Sequence, residues 1–489
     1  DGAAVRIAMT VGRAGEAPGL LQQVTSESSE ENREARGVAL SRREGKVFAD
    51  LSIGADVANA QPLQSNSELS NRGVSLFGKG FIVSQEEARH LGLGATQGLE
   101  QHIRHYRNGR DLTQSSRDVM VIDFFGLTAD EAKSQYPAAY QWLLERVKPE
   151  RDNNKRESRK RNWWLFGETN PKLRNQLADL PRYIATVETT KHRLFTFLDA
   201  DILPDNMLVN IAVDNPAWLG ALSSRLHIHW ALSVGGTLED RPRYNKTRCF
   251  ETFPFPELTD EQAAKIGQLA EQIDAHRKRQ QAEHPTLTLT GMYNVMEKLR
   301  AGEELNAKEQ TINQQGLVST LLADHDALDR AVFNAYGWDD LAKALVGLPG
   351  ATTPLPDKPA AQAEAEEELL MRLVALNKQR AAEEAQGKVR WLRPDYQAPE
   401  EAAPTQKELQ STTAEASAPA ADKTKATWPK DLATQVTLLR DMLAQSPHSA
   451  ESLAAQFKRK PLKGVNEVLS ALAALGQAQQ DDEHWRLVR

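Results

Sequence analysis

Two basic stretches of the sequence have the residue types that contact nucleic acids. The first, residues 148–161, holds seven Lys and Arg against three Asp and Glu, and the pair Trp163-Trp164 follows it. The second, residues 241–248 (RPRYNKTR), carries four positive charges and one Asn. Lys and Arg neutralise phosphates, Arg and Asn can each bond a base edge through two hydrogen bonds, and aromatic rings stack on bases. Both stretches favour local nucleic-acid binding, against the alternative that they are ordinary basic loops and that the Trp pair is buried in the core.

Two further motifs have a structural explanation that is simpler than a catalytic one. The segment Asp214-Asn215-Pro216-Ala217-Trp218 is similar to a loop that holds the extruded base in amino-methylating DNA enzymes, but Ala217 stands where that loop has a second proline. Proline is common in the first turn of a helix, so the segment predicts a plain helix start. His227 and His229 would point about 200° apart on a helix, so they cannot share a metal ion and a helix-surface role is favoured. We identify no catalytic residue and no metal site from the sequence.

Length and composition restrict the class of protein. The 489 residues predict roughly three or four domains. One cysteine, Cys249, excludes an intramolecular disulfide, and no apolar run approaches the roughly 18 residues of a membrane span. The net charge of −7 excludes coating of a nucleic acid by bulk charge, so contact with a polyanion must be local. We expect a soluble cytoplasmic protein with no membrane partner. Asp1 leads directly into a predicted strand, which is consistent with a fragment.

Apolar periodicity and capping residues predict a mixed α and β fold up to about residue 256. Ser84 with Glu87, Thr128 with Glu131 and Thr259 with Gln262 form capping boxes that predict helix starts, the second helix running to about residue 147. A helix is predicted over 217–232, and nearly continuous helix after residue 256 to about 346. Strands are predicted over 5–11, 37–40, 46–53, 74–83, 119–125, 162–167, 183–188, 194–198 and 207–213, with a hairpin turn at 43–45.

The last third of the sequence has two parts of different composition. Residues 349–427 are rich in Pro, Ala and Glu and predict a linker, interrupted by a charged helix around 360–386. Residues 428–489 predict three helices and a short hairpin, an order that suits a winged-helix module. Lys458-Arg459-Lys460 and Lys463 lie near the third helix, and Asp481-Asp482 mark the turn of the hairpin.

Longer strings in the middle of the chain resemble a known family more specifically than the composition does. These strings are residues 180–188 (LPRYIATVE), 190–193 (TKHR), 203–206 (LPDN), 219–227 (LGALSSRLH) and 243–256 (RYNKTRCFETFPFP). They resemble the target-recognition region of the bacterial class I S-adenosylmethionine-dependent DNA methyltransferases, which include the large single-chain type IIL restriction-modification enzymes. The resemblance covers most of residues 1–256 and, more loosely, the helices to about 346.

This resemblance implies N6-adenine methylation in duplex DNA, with S-adenosylmethionine as the cofactor. The family binds the methyl donor in a Rossmann-like domain through a glycine-rich turn and holds the adenine in an Asn-Pro-Pro-aromatic loop; neither motif occurs in this sequence. We therefore transfer no catalytic residue. The alternative is a non-enzymatic DNA-binding specificity subunit that works with a separate catalytic chain. A third interpretation is a protein-interaction scaffold that acts through the linker and the tail.

We thus predict an α/β mixed target-recognition lobe, a helical region and a small winged-helix-like C-terminal domain. The expected boundaries are 1–30 for the end of the catalytic domain, 31–256 for DNA target recognition, 257–348 for the helical region, 349–427 for the linker and 428–489 for the winged-helix-like domain, which could contact a partner protein. The expected partner of the lobe is double-stranded DNA. Its expected DNA-contacting residues are Arg156, Arg159, Lys160, Lys191, His192, Arg193, Arg243, Asn245, Lys246 and Arg248.

Overall fold

The computed structural model divides into two compact units, Asp1–Pro404 and Thr405–Arg489, which are described separately. The described residues are 9–12, 18–27, 38–47, 53–238, 241–399, 432–445, 448–454, 456–457, 462–474, 478–481 and 484–487.

The strands of the first unit lie mostly before residue 243. They are β1 (Gly19–Glu27), β2 (Val38–Gly45), β3 (Ser70–Arg72), β4 (Ile82–Val83), β5 (Ile103–Arg107), β6 (Met120–Ile122), β7 (Arg182–Val187), β8 (Thr196–Asp199), β9 (Leu203–Pro204), β10 (Leu208–Ile211), β11 (Thr237–Leu238) and β12 (Arg241–Pro242).

The helices of this unit have at most ten residues up to residue 234, and most of those after it are longer. They are α1 (Gln85–His90), α2 (Gly109–Thr113), α3 (Ala129–Gln135), α4 (Pro137–Arg146), α5 (Lys148–Asp152), α6 (Glu157–Arg161), α7 (Pro171–Leu177), α8 (Pro216–Ser223), α9 (Arg225–Val234), α10 (Asp260–Glu283), α11 (Leu289–Ala301), α12 (Ala307–Gly316), α13 (Val318–Ala335), α14 (Asp339–Leu345), α15 (Ala360–Ala385) and α16 (Pro394–Gln397). A π-helical turn spans Lys246–Phe250.

Two four-stranded sheets meet beside residue 73. One has the order β3-β10-β7-β8 with antiparallel neighbours, and the other has the order β4-β6-β5-β9, in which β5 and β9 are parallel. The chain passes between the sheets at Gly73, where a Cβ would lie 2.1 Å from the carbonyl oxygen of Pro204. Only glycine fits this close backbone approach.

Strand β7 is buried on both faces because its side chains alternate between two cores. Ile184 belongs to the large core that contains the helices from α8 onwards, whereas Tyr183, Ala185 and Val187 belong to a smaller cluster. The second sheet packs with α3 and α4 in a third core. The strands predicted at 183–188, 194–198 and 207–213 are confirmed as β7, β8 and β10 within one or two residues at most of their ends.

Two predictions near the start of the chain are wrong. Among the described residues, strand β2 pairs with β1, which precedes it in the sequence, and not with a strand that follows it. Residues 43–45 are not a turn but the end of β2, where they pair with Gly19, Leu20 and Leu21 of β1. The strand predicted over 46–53 reduces, within the described residues, to one bridge between Val47 and Ile53. The strand predicted over 5–11 falls mostly outside the described residues, and its described part, from Met9 on, is not a strand.

The strand predicted over 162–167 is also wrong. This segment forms turns after α6, because Trp163 and Phe166 enter the core while Trp164 donates its indole N–H to the carbonyl oxygen of Leu127 at 2.9 Å. The core interpretation of the Trp pair therefore fits better than the stacking one.

The capping boxes at Ser84, Thr128 and Thr259 are all confirmed, but two predicted helices are interrupted. The helix predicted from Thr128 to about 147 breaks at Tyr136, because Pro137 cannot continue the hydrogen-bond ladder and starts α4. The helix predicted over 217–232 breaks at Ser224, which has an extended backbone and is followed by α9.

Residues 349–399 are not a simple linker in the structure, because the predicted charged helix, α15, packs into the first unit. Its apolar residues Leu369 and Leu373 are fully buried in the large core. The amide of Asn377 bonds the backbone of Gln61 and Thr252, and the carboxylate of Glu384 accepts from the backbone N–H groups of Gln64 and Ser65. Composition does not reveal these contacts, which span 125 residues of sequence for Thr252 and more than 300 for the others.

The second unit has its own apolar core. Its elements are α17 (Leu432–Gln445), α18 (Ala450–Ala454), α19 (Leu462–Ala474), β13 (Ala478–Asp481) and β14 (His484–Leu487). Leu439, Leu453, Phe457 and Leu469 are buried together, and β13 and β14 form a hairpin to which His448 adds a bridge. The basic triplet Lys458-Arg459-Lys460 and the turn residue Asp482 lie outside the described residues.

The helix-surface role predicted for His227 is wrong, since this side chain is 0% exposed and its Nε2 lies 2.9 Å from the hydroxyl of Tyr244. Burial, and secondarily the charge of Arg193, lowers the pKa of His227 to about 3. The folded state thus keeps His227 neutral while the unfolded chain binds a proton below about pH 6.5. Because the folded pKa is depressed, stability is full above the unfolded pKa and is lost as the pH falls towards the folded one.

We therefore predict that, as the pH falls from about 6 to about 4, His227 alone lowers the free energy of unfolding by about 1.4 kcal/mol per pH unit. His227→Gln should reduce the slope by that amount in urea titrations at several pH values. His90→Gln, at an exposed position of α1, is the matched control and should leave the slope unchanged. Equal slopes for wild type and His227→Gln would contradict the prediction.

Candidate nucleic-acid interface

The first basic stretch folds into α5, α6 and the residues between them. Arg151 is 1% exposed and donates to the carbonyl oxygens of Leu76 and Leu165, so it holds the fold together. Lys155, Arg156 and Arg161 are exposed, and within the described part of the chain no acidic side chain pairs with them. We refer to residues 155–161 as the basic turn. Its unpaired cations are available to a polyanion.

Arg159 and Lys160 are more constrained members of the basic turn. The Arg159 guanidinium lies 3.6 Å from the ring centre of Phe77 and 3.7 Å from the carboxylate of Glu168. Lys160 lies 3.9 Å from Glu157. A contact of that length on an exposed helix contributes little, so the ammonium group can exchange Glu157 for a phosphate.

A second group of cations surrounds the buried carboxylate of Glu188, just after β7. One oxygen of Glu188 accepts from Arg72 at 2.5 Å and from two nitrogens of Arg243 at 2.7 and 2.8 Å. The side chains of Arg72 and Arg243 are 48% and 45% exposed, whereas that of Glu188 is 5% exposed. We refer to Arg72, Glu188 and Arg243 as the Glu188 cluster. It holds two guanidinium groups in place and leaves one net positive charge at the surface.

Arg72 was not among the predicted contacts. Its ion pair spans 116 residues of sequence, and its neighbours Asn71 and Gly73 give no basic pattern. Only the pairing of β3 with β10, and of β10 with β7, brings it to Glu188.

Of the predicted residues 191–193, one is exposed and two are inside the protein. Lys191 is exposed and donates to Asn294 at 2.6 Å. His192 is 2% exposed between Thr352 and Asn294, and burial lowers its pKa, so it is neutral at pH 7.

Arg193 is 1% exposed, and burial lowers its pKa to about 10. It donates to the hydroxyl of Thr186 at 3.0 Å and to the carbonyl oxygens of Val187, Glu188 and Pro242. In this position it joins the end of β7 to β12 and thereby positions both Glu188 and Arg243.

The residues after β12 form the π-helical turn. Asn245 caps this turn by accepting from the N–H and hydroxyl of Thr247, which leaves its side-chain amide nitrogen without a partner among the described residues. Lys246 pairs with Glu251 at 2.9 Å. Arg248 is exposed and has no acidic partner in the described part of the chain. Within this turn, the paired side chain of Lys246 and the side chain of Arg248, unpaired among the described residues, are two residues apart in sequence.

One chain segment connects the basic turn to the Glu188 cluster. Arg72 belongs to the cluster, and Phe77, five residues later, lies against Arg159 of the basic turn. Five residues span at most about 18 Å. That is about half of the roughly 34 Å of one turn of B-DNA, so the spacing allows both groups to contact a single duplex.

The other sequence motifs do not form a chemical site. Asn215 caps α8 by accepting from the N–H of Ala217 at 2.9 Å, as a plain helix start requires. Among the described residues, no group of three His, Cys, Asp or Glu side chains could hold a metal ion. In the same residues no helix is long and apolar enough to cross a membrane.

Among the described residues, the lobe up to about residue 257 is mixed α and β and carries both paired and unpaired cations on its surface. Comparison with known proteins places this part of the chain beside DNA target-recognition domains. Residues 57–257 match the family model described as "MmeI, target recognition domain". The resemblance predicted from the sequence is confirmed: residues 57–257 match a target recognition domain of the MmeI type, and a stretch of 95 residues is similar to a DNA methyltransferase.

Two similar proteins illustrate how much of such an enzyme the chain spans. Over 95 residues it is 33% identical to "DNA methyltransferase A" of Bacillus subtilis (strain 168), a match that covers 19% of this chain and 10% of that protein. A solved structure of the type IIL restriction-modification enzyme MmeI in complex with DNA aligns with a TM-score of 0.49 and 19% identity, over 71% of this chain and 40% of that one. The chain therefore spans a tenth of the one relative and less than half of the other.

Proposed function

We propose that this chain is the target-recognition and C-terminal portion of a site-specific DNA methyltransferase. The reaction would be methyl transfer from S-adenosylmethionine to the N6 of adenine in duplex DNA, within a bacterial restriction-modification or phage-defence system. The observation that carries the proposal is the match of residues 57–257 to the MmeI target recognition domain. The 33% identity to DNA methyltransferase A supports the same assignment.

In this proposal the lobe binds the duplex through its exposed and half-buried cations. The phosphate contacts are assigned to Arg156, Lys160, Lys191, Lys246 and Arg248, and Arg72 and Arg243 are presented by Glu188. Arg159 and Asn245 are assigned to DNA contact beside them. His192 and Arg193 are buried, so their role is to position the neighbouring donors rather than to touch DNA. Such a grip stabilises DNA while a base is extruded, a step that costs a few kcal/mol.

The residues present do not fit the methyl donor. The sequence lacks the glycine-rich donor-binding turn and the Asn-Pro-Pro-aromatic loop. The nearest equivalent of that loop is committed to another role, because the side chain of Asn215 caps α8. We therefore assign no catalytic residue and no S-adenosylmethionine contact to this chain.

The same observation favours a second candidate function, a specificity subunit that binds DNA and depends on a separate catalytic chain. Calorimetry with S-adenosylmethionine and a methyl-transfer assay on mixed-sequence duplex DNA distinguish the two when they are performed on the product of the complete reading frame that encodes this chain. Donor binding and labelled N6-methyladenine from that product would support the enzyme. Duplex binding without either would support the subunit. Absence of salt-dependent duplex binding would contradict both functions and favour a protein scaffold.

We also propose that the second unit is a winged-helix domain. The order α17, α18, α19 and hairpin, with the His448 bridge to Trp485 as a third short strand, supports this assignment. The proposed boundaries follow the sequence expectation: 1–30 for the end of the catalytic domain, 31–256 for target recognition, 257–348 for the helical region, 349–427 for a connecting segment that includes α15, and 428–489 for the winged-helix domain. A partner protein is the proposed ligand of that last domain.

A further inference from the structure

We propose that Phe77 is an aromatic wedge that packs against an unstacked base pair of duplex DNA. The inference rests on the proposed function and adds to it a residue for which the basic sequence pattern gave no signal. It draws on the backbone conformation of Phe77, the way its ring is held, and the charges around it.

The backbone of Phe77 is strained. Its φ of +49° lies in the left-handed region, which bulky side chains rarely adopt, and the side chain is nevertheless 47% exposed. Left-handed conformations of non-glycine residues cost on the order of 1 kcal/mol and tend to persist at ligand sites. A Gly or Asn would lower this cost, so the backbone conformation by itself does not favour an aromatic residue at this position.

The loop around Phe77 is fixed on both sides. On one side the carbonyl oxygen of Leu76 accepts from buried Arg151, and on the other that of Gly80 accepts from the indole of Trp142, both at 2.9 Å. The ring of Phe81, 0% exposed, packs edge-on against Phe166 with centroids 5.0 Å apart. Phe77 is therefore the exposed tip of a rigid platform rather than part of a loose loop.

The ring itself is preoriented. Arg159 lies over one face at 3.6 Å, and the backbone at Gly167 lies so close that a Cβ there would be 2.5 Å from the ring. With its ring held in this way and nearly half of the side chain exposed, Phe77 offers a flat apolar surface whose orientation costs no further conformational entropy. Apolar side chains of this kind are inserted between base steps by proteins that bend or open DNA.

The charges around Phe77 favour DNA over an apolar protein partner. Lys79 is two residues away, exposed, and without an acidic partner among the described residues, and Arg156 and Arg161 of the basic turn are also unpaired there. A wedge between such cations can enter a groove while they neutralise the flanking phosphates.

The test compares a fully paired duplex with the same duplex carrying one mismatched pair, because a mismatch lowers the cost of unstacking. Both are mixed-sequence oligonucleotides, and dissociation constants are measured by fluorescence anisotropy. We expect the wild-type protein to prefer the mismatched duplex by about tenfold, which corresponds to about 1.4 kcal/mol of unstacking. Phe77→Asn should lose this preference, and Phe77→Trp should keep it.

Leu317→Asn is the matched control. Leu317 is also 47% exposed and has a left-handed φ of +44°, but it lies between α12 and α13, away from the basic turn in sequence and without an aromatic ring. Asn is tolerated in this backbone region, so both variants should fold, as thermal melts can verify. Leu317→Asn should bind both duplexes as the wild type does.

The outcomes separate the wedge from the proposed function. If the wild type binds duplex DNA and Phe77→Asn shows the same preference for the mismatched duplex, the proposed role of Phe77 is contradicted, whereas the proposed DNA recognition is not. If Phe77→Asn binds DNA normally but loses a protein partner, the wedge is overturned in favour of a protein contact. If the wild type binds neither duplex, the proposed function fails as well.

Discussion

Replacing Arg156, Lys160, Arg243 and Arg248 together with glutamine is expected to weaken binding to duplex DNA about a thousandfold near 0.1 M salt. Each cation that neutralises a phosphate contributes about 0.9 to the slope of log affinity against log salt, so four of them account for about 3.6. The loss should be similar for duplexes of any sequence, because phosphate contacts carry no base information. Anisotropy titrations at several salt concentrations measure both the affinity and the slope.

A control with the same change in net charge comes from the helical part of the first unit. Lys265, Lys308, Arg330 and Lys343 are exposed, lie on α10, α12, α13 and α14, and can be replaced by glutamine together. This variant should retain the wild-type slope if binding is local to the recognition lobe. Equal loss of affinity in the two variants would mean that overall charge, rather than the basic turn and the Glu188 cluster, attracts the DNA.

The largest expected loss of stability follows from removing Arg193. We expect Arg193→Met to lower the free energy of unfolding by about 3–5 kcal/mol, because four buried hydrogen bonds from a charged donor would be lost. The carbonyl oxygens of Glu188 and Pro242 would keep only their backbone donors. Urea denaturation monitored by Trp fluorescence measures the loss. Arg193→Lys should recover only part of it, since one ammonium group cannot reproduce the planar fork of the guanidinium.

Arg243→Met serves as the comparison for this experiment. Arg243 is nearly half exposed and Glu188 keeps Arg72 when it is removed, so we expect a cost of about 1 kcal/mol or less. A cost for Arg193→Met no larger than this would show that the buried guanidinium is not what joins β7 to β12.

The sequence predicted best those elements that are determined by residues close to one another. Capping boxes at Ser84, Thr128 and Thr259 each need only two residues three positions apart, and all three helices begin where expected. The strands β7, β8 and β10 have apolar runs because both faces of their sheet are covered. Short-range sequence patterns were therefore sufficient to predict these three helix starts and these three strands.

Long-range pairing explains what the sequence could not predict. The antiparallel pairing of β1 with β2 joins strands that are separated by ten residues of sequence. The Trp163-Trp164 pair looks like part of a strand although Trp163 is buried in the core beneath a turn. In the candidate interface, Arg72 gave no local signal, and Arg193 gave the same signal as a surface arginine. Whether a cation is exposed or buried is decided by the packing around it, which composition does not report.

The attachment of α15 to the lobe affects how this region could be exchanged between proteins. Asn377 and Glu384 bond the backbone at residues 61, 64 and 65, which lie inside the segment that matches the family model, although α15 itself lies about a hundred residues beyond the end of that match. A chimera that grafted residues 57–257 alone would leave these amides unbonded and would uncover the apolar surface beneath Leu369 and Leu373. The smallest transplantable unit therefore extends through α15, and an exchange of this lobe has to include this helix or supply a compatible one from the recipient.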